Sequence, residues 1–317
     1  GKLVSLNQFA IIFGMLVVYF VNYFIASQGD ETWLNQTGWR WMFASETIPA
    51  GIFLLLLLFV PDTPRSLVLK SKPEKALEVL TRINGIDQAK VILKEIQGTV
   101  VHHSGKLFSF GFTVILIGIL LSVFQQFVGI NVVLYYAPEI FKSMGANTDI
   151  ALLQTIIVGS VNLIFTVLAI MTVDRFGRKP LMIVGALGMG ISMFALGFSF
   201  FSSAIGIFAL ICMLFYVASF AMSWGPVTWV LLSEIFPNRI RGRAMALAVA
   251  AQWISNYLVS WTFPMMDKNS FLIEKFNHGF AYWIYGVMAI LAMLIIWKFV
   301  PETKGKTLEE MEKVWKK

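Results

Sequence analysis

The sequence predicts an all-α, polytopic membrane protein. Hydrophobic residues make up 57% of the 317 positions and charged ones only 14%, more apolar surface than one soluble core of this length hides. Apolar runs of about 20 residues, enough to cross about 30 Å of hydrocarbon as a helix, recur along the chain. The net charge of +7 is not gathered on one face, as nucleic-acid binding requires, but lies in short connections between the apolar runs.

The runs fall near 8–27, 41–60, 107–128, 150–173, 180–201, 204–232, 243–264 and 279–299, which makes eight expected spans. The third continues through Gly129 and Asn131 to about Phe141. A glycine with polar neighbours in mid-span marks a helix broken where it lines a cavity. In the sixth, Gly225-Pro226 between Trp224 and Trp229 marks a hinge, because proline frees a backbone carbonyl.

Between the second and third runs lies a polar insert, about 62–105, with amphipathic stretches at Pro73–Ile83 and Gln88–Ile96 punctuated by Pro64, Pro73 and Gly85. It reads as a small helical domain at the membrane surface. Of the 25 Lys and Arg, 21 fall in the insert, the tail and the connections on the same side, and four (Arg40, Lys142, Lys268 and Lys275) on the other. The positive-inside rule puts the insert and the C-terminus in the cytoplasm.

An internal repeat is also visible. Gly1-Lys2 opens a span pair ending in Val60-Pro61-Asp62-Thr63, and Gly242-Arg243 opens one ending in Val300-Pro301-Glu302-Thr303. Six spans lie between the insert and Glu302, so a parallel repeat predicts six before the insert, and hence about four upstream of Gly1. The expected domains are 1–61, the last two helices of an N-terminal bundle; 62–105, a cytoplasmic helical linker; 106–300, a six-helix bundle; and 301–317, a cytoplasmic tail.

Two groups of side chains carry candidate chemistry. Asp174, Arg175 and Arg178 share a short connection, and Glu234, Arg241 and Glu302 stand at neighbouring span ends on the same side. The expectation is that the connection's arginines pair with Glu234 and Glu302 in a latch that breaks when the protein changes face; the alternative is ordinary positive-inside charge. The second group is the string Gln125-Gln126-Phe127-Val128-Gly129-Ile130-Asn131, with Asn162, Trp229, Gln252 and Trp253 also in mid-span. Amides in hydrocarbon are costly unless satisfied, and a neutral polyol needs such donors and acceptors beside aromatic faces. Amides that glue helices together would look the same. Glu46 is the one carboxylate well inside an apolar run, a proton-exchange candidate if burial raises its pKa.

These motifs resemble those of the sugar porters of the major facilitator superfamily, among them the bacterial xylose–proton symporters. Asp174 to Lys179 resembles the superfamily's interhelical loop signature. Pro61-Asp62-Thr63-Pro64-Arg65, Glu234-Ile235-Phe236-Pro237 with Arg241-Gly242, and Pro301-Glu302-Thr303-Lys304-Gly305 resemble sugar-porter signatures. The resemblance implies the major facilitator fold, and transport of a monosaccharide, xylose or a related sugar, with protons across a bacterial inner membrane by alternating access; the alternatives are an uncoupled sugar facilitator and a non-transporting sensor or truncated fragment on the same fold. It further implies a multi-pass monomer in the lipid bilayer, with no cofactor and no nucleic-acid partner. Within it, Gln125, Gln126 and Asn131 would bond sugar hydroxyls, Trp229 and Gln252 would add contacts, and Tyr135 would close over the sugar. Met15 stands where the family resemblance implies a glutamine toward the sugar, and the first-helix aspartate that carries the proton in coupled members has no counterpart here.

Other classes find no support. His102, His103 and His278 lie in connections without carboxylates or cysteines at ligand spacing, so no metal site is expected. The single cysteine, Cys212, sits inside an apolar run, and neither a phosphate-binding glycine loop nor an enzyme's nucleophile arrangement is present.

Overall fold

The computed structural model describes residues 2–101, 107–203, 206–237, 240–306, 310, 311 and 315; His102, His103 and Arg239 lie outside them. Among the described residues every regular element is helical: α1 (Lys2–Ala26), α2 (Glu31–Trp33), a π-helical turn (Leu34–Gly38), α3 (Trp39–Ser45), α4 (Thr47–Leu57), α5 (Pro64–Leu69), α6 (Pro73–Asn84), α7 (Ile86–Val101), α8 (Phe112–Phe127), α9 (Ile130–Tyr135), α10 (Ala137–Ser143), α11 (Thr148–Phe176), α12 (Arg178–Phe201), α13 (Ile207–Met222), α14 (Trp224–Ile235), α15 (Arg241–Asp267), α16 (Ser270–Phe276) and α17 (Phe280–Phe299).

Seven helical stretches in the described residues are long and apolar enough to cross a membrane: Leu6–Ala26, Glu31–Leu57, Phe112–Tyr135, Thr148–Phe176, Arg178–Phe201, Ile207–Ile235 and Phe280–Phe299. The remaining expected span, 243–264, is helical as the 27-residue α15. Its Gln252, Ser255 and Asn256 are buried against the bundle.

The chain divides into two compact units, one of residues 1–34 and 107–317 and the other of 35–106. In the second unit, Pro64 and Pro73 start α5 and α6 at positions where a helix needs no N–H donor. The amphipathic stretches of the insert form α6 and α7, with Ala76 and Leu80 of α6 and Ala89 of α7 buried between them. No residue of the strongly apolar α4 is buried, the pattern of a helix whose solvent is hydrocarbon.

The core of the first unit is formed mainly by α8 to α15 and α17. The expected break in the third span falls at Gly129, which takes φ +89° and ψ +16° between α8 and α9. A Cβ there would lie 2.7 Å from the Tyr285 ring, so both backbone sign and space demand glycine. The break in the sixth span falls at Ser223 (φ −133°, ψ −87°) rather than at Gly225-Pro226. Pro226 has no N–H for the carbonyl four residues back and its ring crowds that turn, so the bend forms upstream of the proline. Helix α1 packs on α11 at Gly159, where a Cβ would meet the Tyr19 ring at 2.8 Å, and Tyr19 Oη donates to Leu134 O at 2.9 Å.

Candidate functional site

A cavity of about 160 Å³ opens within the first unit among α1, α8, α9, α11, α13, α14 and α15. Every residue of the expected polyol-binding group lines it: Gln125, Gln126, Asn131, Tyr135, Asn162, Trp229, Gln252 and Trp253. A cavity of about 150 Å³ holds one six-membered ring, so this space has room for a ring of monosaccharide size.

The wall is part preset and part open. Gln125 Nε2 donates to Trp224 O at 3.0 Å, a carbonyl at the start of α14 that also accepts from Thr228 Oγ1 at 2.7 Å. Asn131 Nδ2 donates to Gln126 Oε1 at 2.6 Å, across the Gly129 break. Gln125 Oε1, Asn162 Nδ2 and Gln252 Oε1 are buried and have no hydrogen-bond partner. Each such atom costs about 1–3 kcal/mol while unmade, so a ligand that supplies hydroxyls gains what the empty wall lacks. Tyr135 and Trp253 are exposed, with their rings available as apolar faces.

Two polar lining residues were not among the candidates, Gln8 and Asn256. Gln8, Ile11, Ile12 and Met15 follow the i, i+3, i+4, i+7 spacing of one helix face, the signal that could have found Gln8. Met15 therefore faces the cavity, and Gln8, two turns before it, supplies an amide on that face. Ile11, Ile12 and Met15 stand ten, eleven and fourteen residues after Gly1, as Gln252, Trp253 and Asn256 do after Gly242. One copy presents an apolar wall and the other a polar one.

At the end of the unit where α11, α14 and α17 terminate, the charged residues come together, with Arg178 on Glu234 as expected and Glu302 bound differently. Arg178 is buried and forks onto Glu234, Nε to Oε2 at 3.2 Å and Nη2 to Oε1 at 2.9 Å. It also reaches Asp174 Oδ1 at 3.0 Å. Glu302 pairs with neither Arg175 nor Arg178 through their guanidinium groups. Its Oε1 accepts from the backbone N–H of Arg178 (3.1 Å), Thr303 (2.9 Å) and Lys304 (2.9 Å), and its Oε2 from that of Lys179 (3.0 Å). Glu302 thus caps the N-terminus of α12, where the orphan amides and the helix dipole favour an anion. Burial alone would raise its pKa, but these four backbone bonds outweigh burial and hold the carboxyl below its ordinary value. Thr303 Oγ1 donates to Glu234 Oε2 at 2.5 Å, so one short segment joins both carboxylates.

Arg175 contributes its backbone, whose carbonyl accepts from Lys304 Nζ at 2.6 Å. Arg241 donates to Phe236 O from Nε (3.3 Å) and Nη2 (3.2 Å), and burial holds its pKa below the ordinary arginine value. Gly177, at φ +88°, would set a Cβ 2.9 Å from Glu302 Oε2. Glu46 lies at the junction of α3 and α4 in the other unit and is exposed. His278 Nδ1 lies 2.9 Å from Asp267 Oδ1, a carboxylate eleven residues earlier in the chain.

Comparison with known proteins agrees with this architecture. The family described as sugar (and other) transporter matches residues 1–315. The chain is 67% identical over 99% of its length to the D-xylose-proton symporter of Escherichia coli (strain K12), and spans 65% of that relative's length. It is 46% identical over its whole length to the glucose facilitated diffusion protein of Zymomonas mobilis, covering 68% of it. Among solved structures, a proton:xylose symporter bound to 6-bromo-6-deoxy-D-glucose superposes with a TM-score of 0.84 at 67% identity, over 99% of this chain and 67% of that one. The inward-open xylose transporter of E. coli gives 0.85 at 63% identity. The chain belongs to the sugar (and other) transporter family of the major facilitator superfamily.

Proposed function

We propose that this protein carries a monosaccharide of the xylose class across a bacterial inner membrane together with a proton, and that the cavity lined by Gln125, Gln126, Asn131, Tyr135, Asn162, Trp229, Gln252 and Trp253 holds the sugar. The observation that carries this reading is the set of three partnerless buried atoms, Gln125 Oε1, Asn162 Nδ2 and Gln252 Oε1, beside exposed aromatic faces in a single-ring cavity. Two acceptors and a donor suit hydroxyl groups, which both give and accept. A charged substrate would meet no counter-charge among the lining residues.

Coupling draws its support from the E. coli relative, named a proton symporter and 67% identical. The Zymomonas relative, named for facilitated diffusion, is 46% identical. For the proton we keep Glu46 as the candidate. In the alternating-access cycle, the Arg178–Glu234 fork and the Glu302 cap serve as a latch on the cytoplasmic side, made in one state and broken in the other. On the same reading, 62–105 is a cytoplasmic linker, 106–300 a membrane bundle and 301–317 a cytoplasmic tail, in a protein working as a monomer.

Calorimetry with xylose tests the site. Gln125→Ala and Gln252→Leu should each weaken binding about ten-fold, since a lost bond to a buried hydroxyl is worth about 1–3 kcal/mol. Gln252→Leu should also leave the empty protein as stable or more so, because it removes a partnerless acceptor. Unchanged affinity in both variants removes the cavity from the sugar path. Alkalinisation of a weakly buffered suspension on external xylose addition tests coupling, and uptake without it favours the facilitator.

A further inference from the structure

At the opposite end of α17 from Glu302, a second cavity of about 350 Å³ is lined by Phe276, Phe280, Trp283, Ile284, Val287 and Met288. All six come from α16 and one face of α17. Phe276 roofs it, stacked on Phe280 with centroids 5.2 Å apart and edge-on to Trp283 at 6.0 Å. The groove opens on the outward face of α17, where Val287, Leu291 and Leu294 are exposed.

We propose that this groove binds one acyl chain of an anionic phospholipid, with its phosphate held by Lys275. Three features support this occupant. From Phe280 to Met288 the groove runs eight residues along α17, about 12 Å at about 1.5 Å per residue, close to the depth of one leaflet, half of about 30 Å. Its roof carries a cation: Lys275 Nζ lies 5.6 Å from the Phe276 ring and 5.8 Å from that of Phe271. An ammonium held over two aromatic rings at the end of the span is a cation at the level where a lipid phosphate lies. Third, α16 is a short helix at the end of the span with Phe271 exposed, as in a segment lying in the membrane interface. Glu274, adjacent in sequence, projects about 100° away around the helix and does not share the Lys275 position.

Native mass spectrometry on the full-length protein, reconstituted with equal phosphatidylglycerol and phosphatidylcholine and then extracted in mild detergent, tests the proposal. The expected result is one phosphatidylglycerol retained per chain through delipidation. Val287→Trp, and separately Met288→Trp, should fill the groove and abolish retention while leaving xylose affinity unchanged, which shows that the variant is folded and separates this site from the sugar cavity. Lys275→Gln should keep a bound lipid but lower the preference for phosphatidylglycerol about five-fold, the worth of one lysine at an anionic surface. Retention unaltered in both tryptophan variants overturns the site, and unaltered preference in Lys275→Gln overturns the headgroup contact. A dimer lost in the tryptophan variants would identify a second copy of the chain as the occupant and overturn the lipid.

Discussion

Asn131 Nδ2 donates to Gln126 Oε1 at 2.6 Å across the helix break at Gly129, so these two amides of the cavity wall hold each other in place. Their substitutions should therefore not add. In a double-mutant cycle on xylose affinity, Gln126→Ala and Asn131→Ala are expected to show a coupling of about 0.5–3 kcal/mol. Additivity within about 0.3 kcal/mol would show that each acts alone.

Met15 and Asn256 occupy corresponding places in the two copies of the repeat, one a thioether and the other an amide. Met15→Gln adds a donor and an acceptor to the apolar wall. It is expected to strengthen binding of a fully hydroxylated sugar by about 0.5–1.5 kcal/mol, the net worth of one neutral hydrogen bond. Isothermal titration against xylose checks it, and weaker binding would show that the wall needs its apolar character.

The fork from Arg178 to Glu234 is the shielded ion pair of the charged end, with side chains 9% and 25% exposed, whereas Asp174 is 63% exposed. Exposed pairs contribute little. Glu234→Gln should thus shift the balance of conformers by about 1.5–3 kcal/mol, the worth of hydrogen bonds to a charged group, and Asp174→Asn by much less. Arg178→Glu should act more strongly than Arg178→Ala. Labelling of single engineered cysteines from each side of the membrane reads the shift, and an unaltered pattern in Arg178→Glu rules out the latch.

Glu302 has a folded pKa below its ordinary value, held there by backbone N–H bonds against the opposing effect of burial. Its contribution to stability is therefore complete above the ordinary glutamate range and is lost as pH falls through the lower folded value. Melting temperature followed from neutral to acid pH should drop more for the parent protein than for Glu302→Gln over that window. Parallel curves would show that the cap adds no pH-dependent stability.

The legible features were those that a single segment announces. Gln125, Gln126 and Asn131 stand out because amides are conspicuous in an apolar run, and their cavity-facing position follows from the need to satisfy them. Gly129 marks its own break, as only glycine takes that backbone sign without cost. Pro226 announced a bend but not its place, since the ring acts on the turn before it and the chain yielded at Ser223. Gln8 was passed over because it sits near the polar start of its helix, where a glutamine attracts no notice, and only its phase with Met15 connects it to the cavity.

By itself, the sequence determined the helical character of the chain, its repeat, the polar strings that face inward and the clustering of charge at one end, because each depends on hydrophobicity and backbone preference over short distances. Tertiary structure alone decided the partners. Glu302 and the α12 amides are more than 120 residues apart, and whether that carboxylate meets a guanidinium or a row of N–H groups depends on helix rotations of a few tens of degrees, which no local pattern encodes. The same rotations leave Gln125 Oε1, Asn162 Nδ2 and Gln252 Oε1 without partners, as hydrogen bonds form only where atoms from distant segments arrive within about 3 Å of each other.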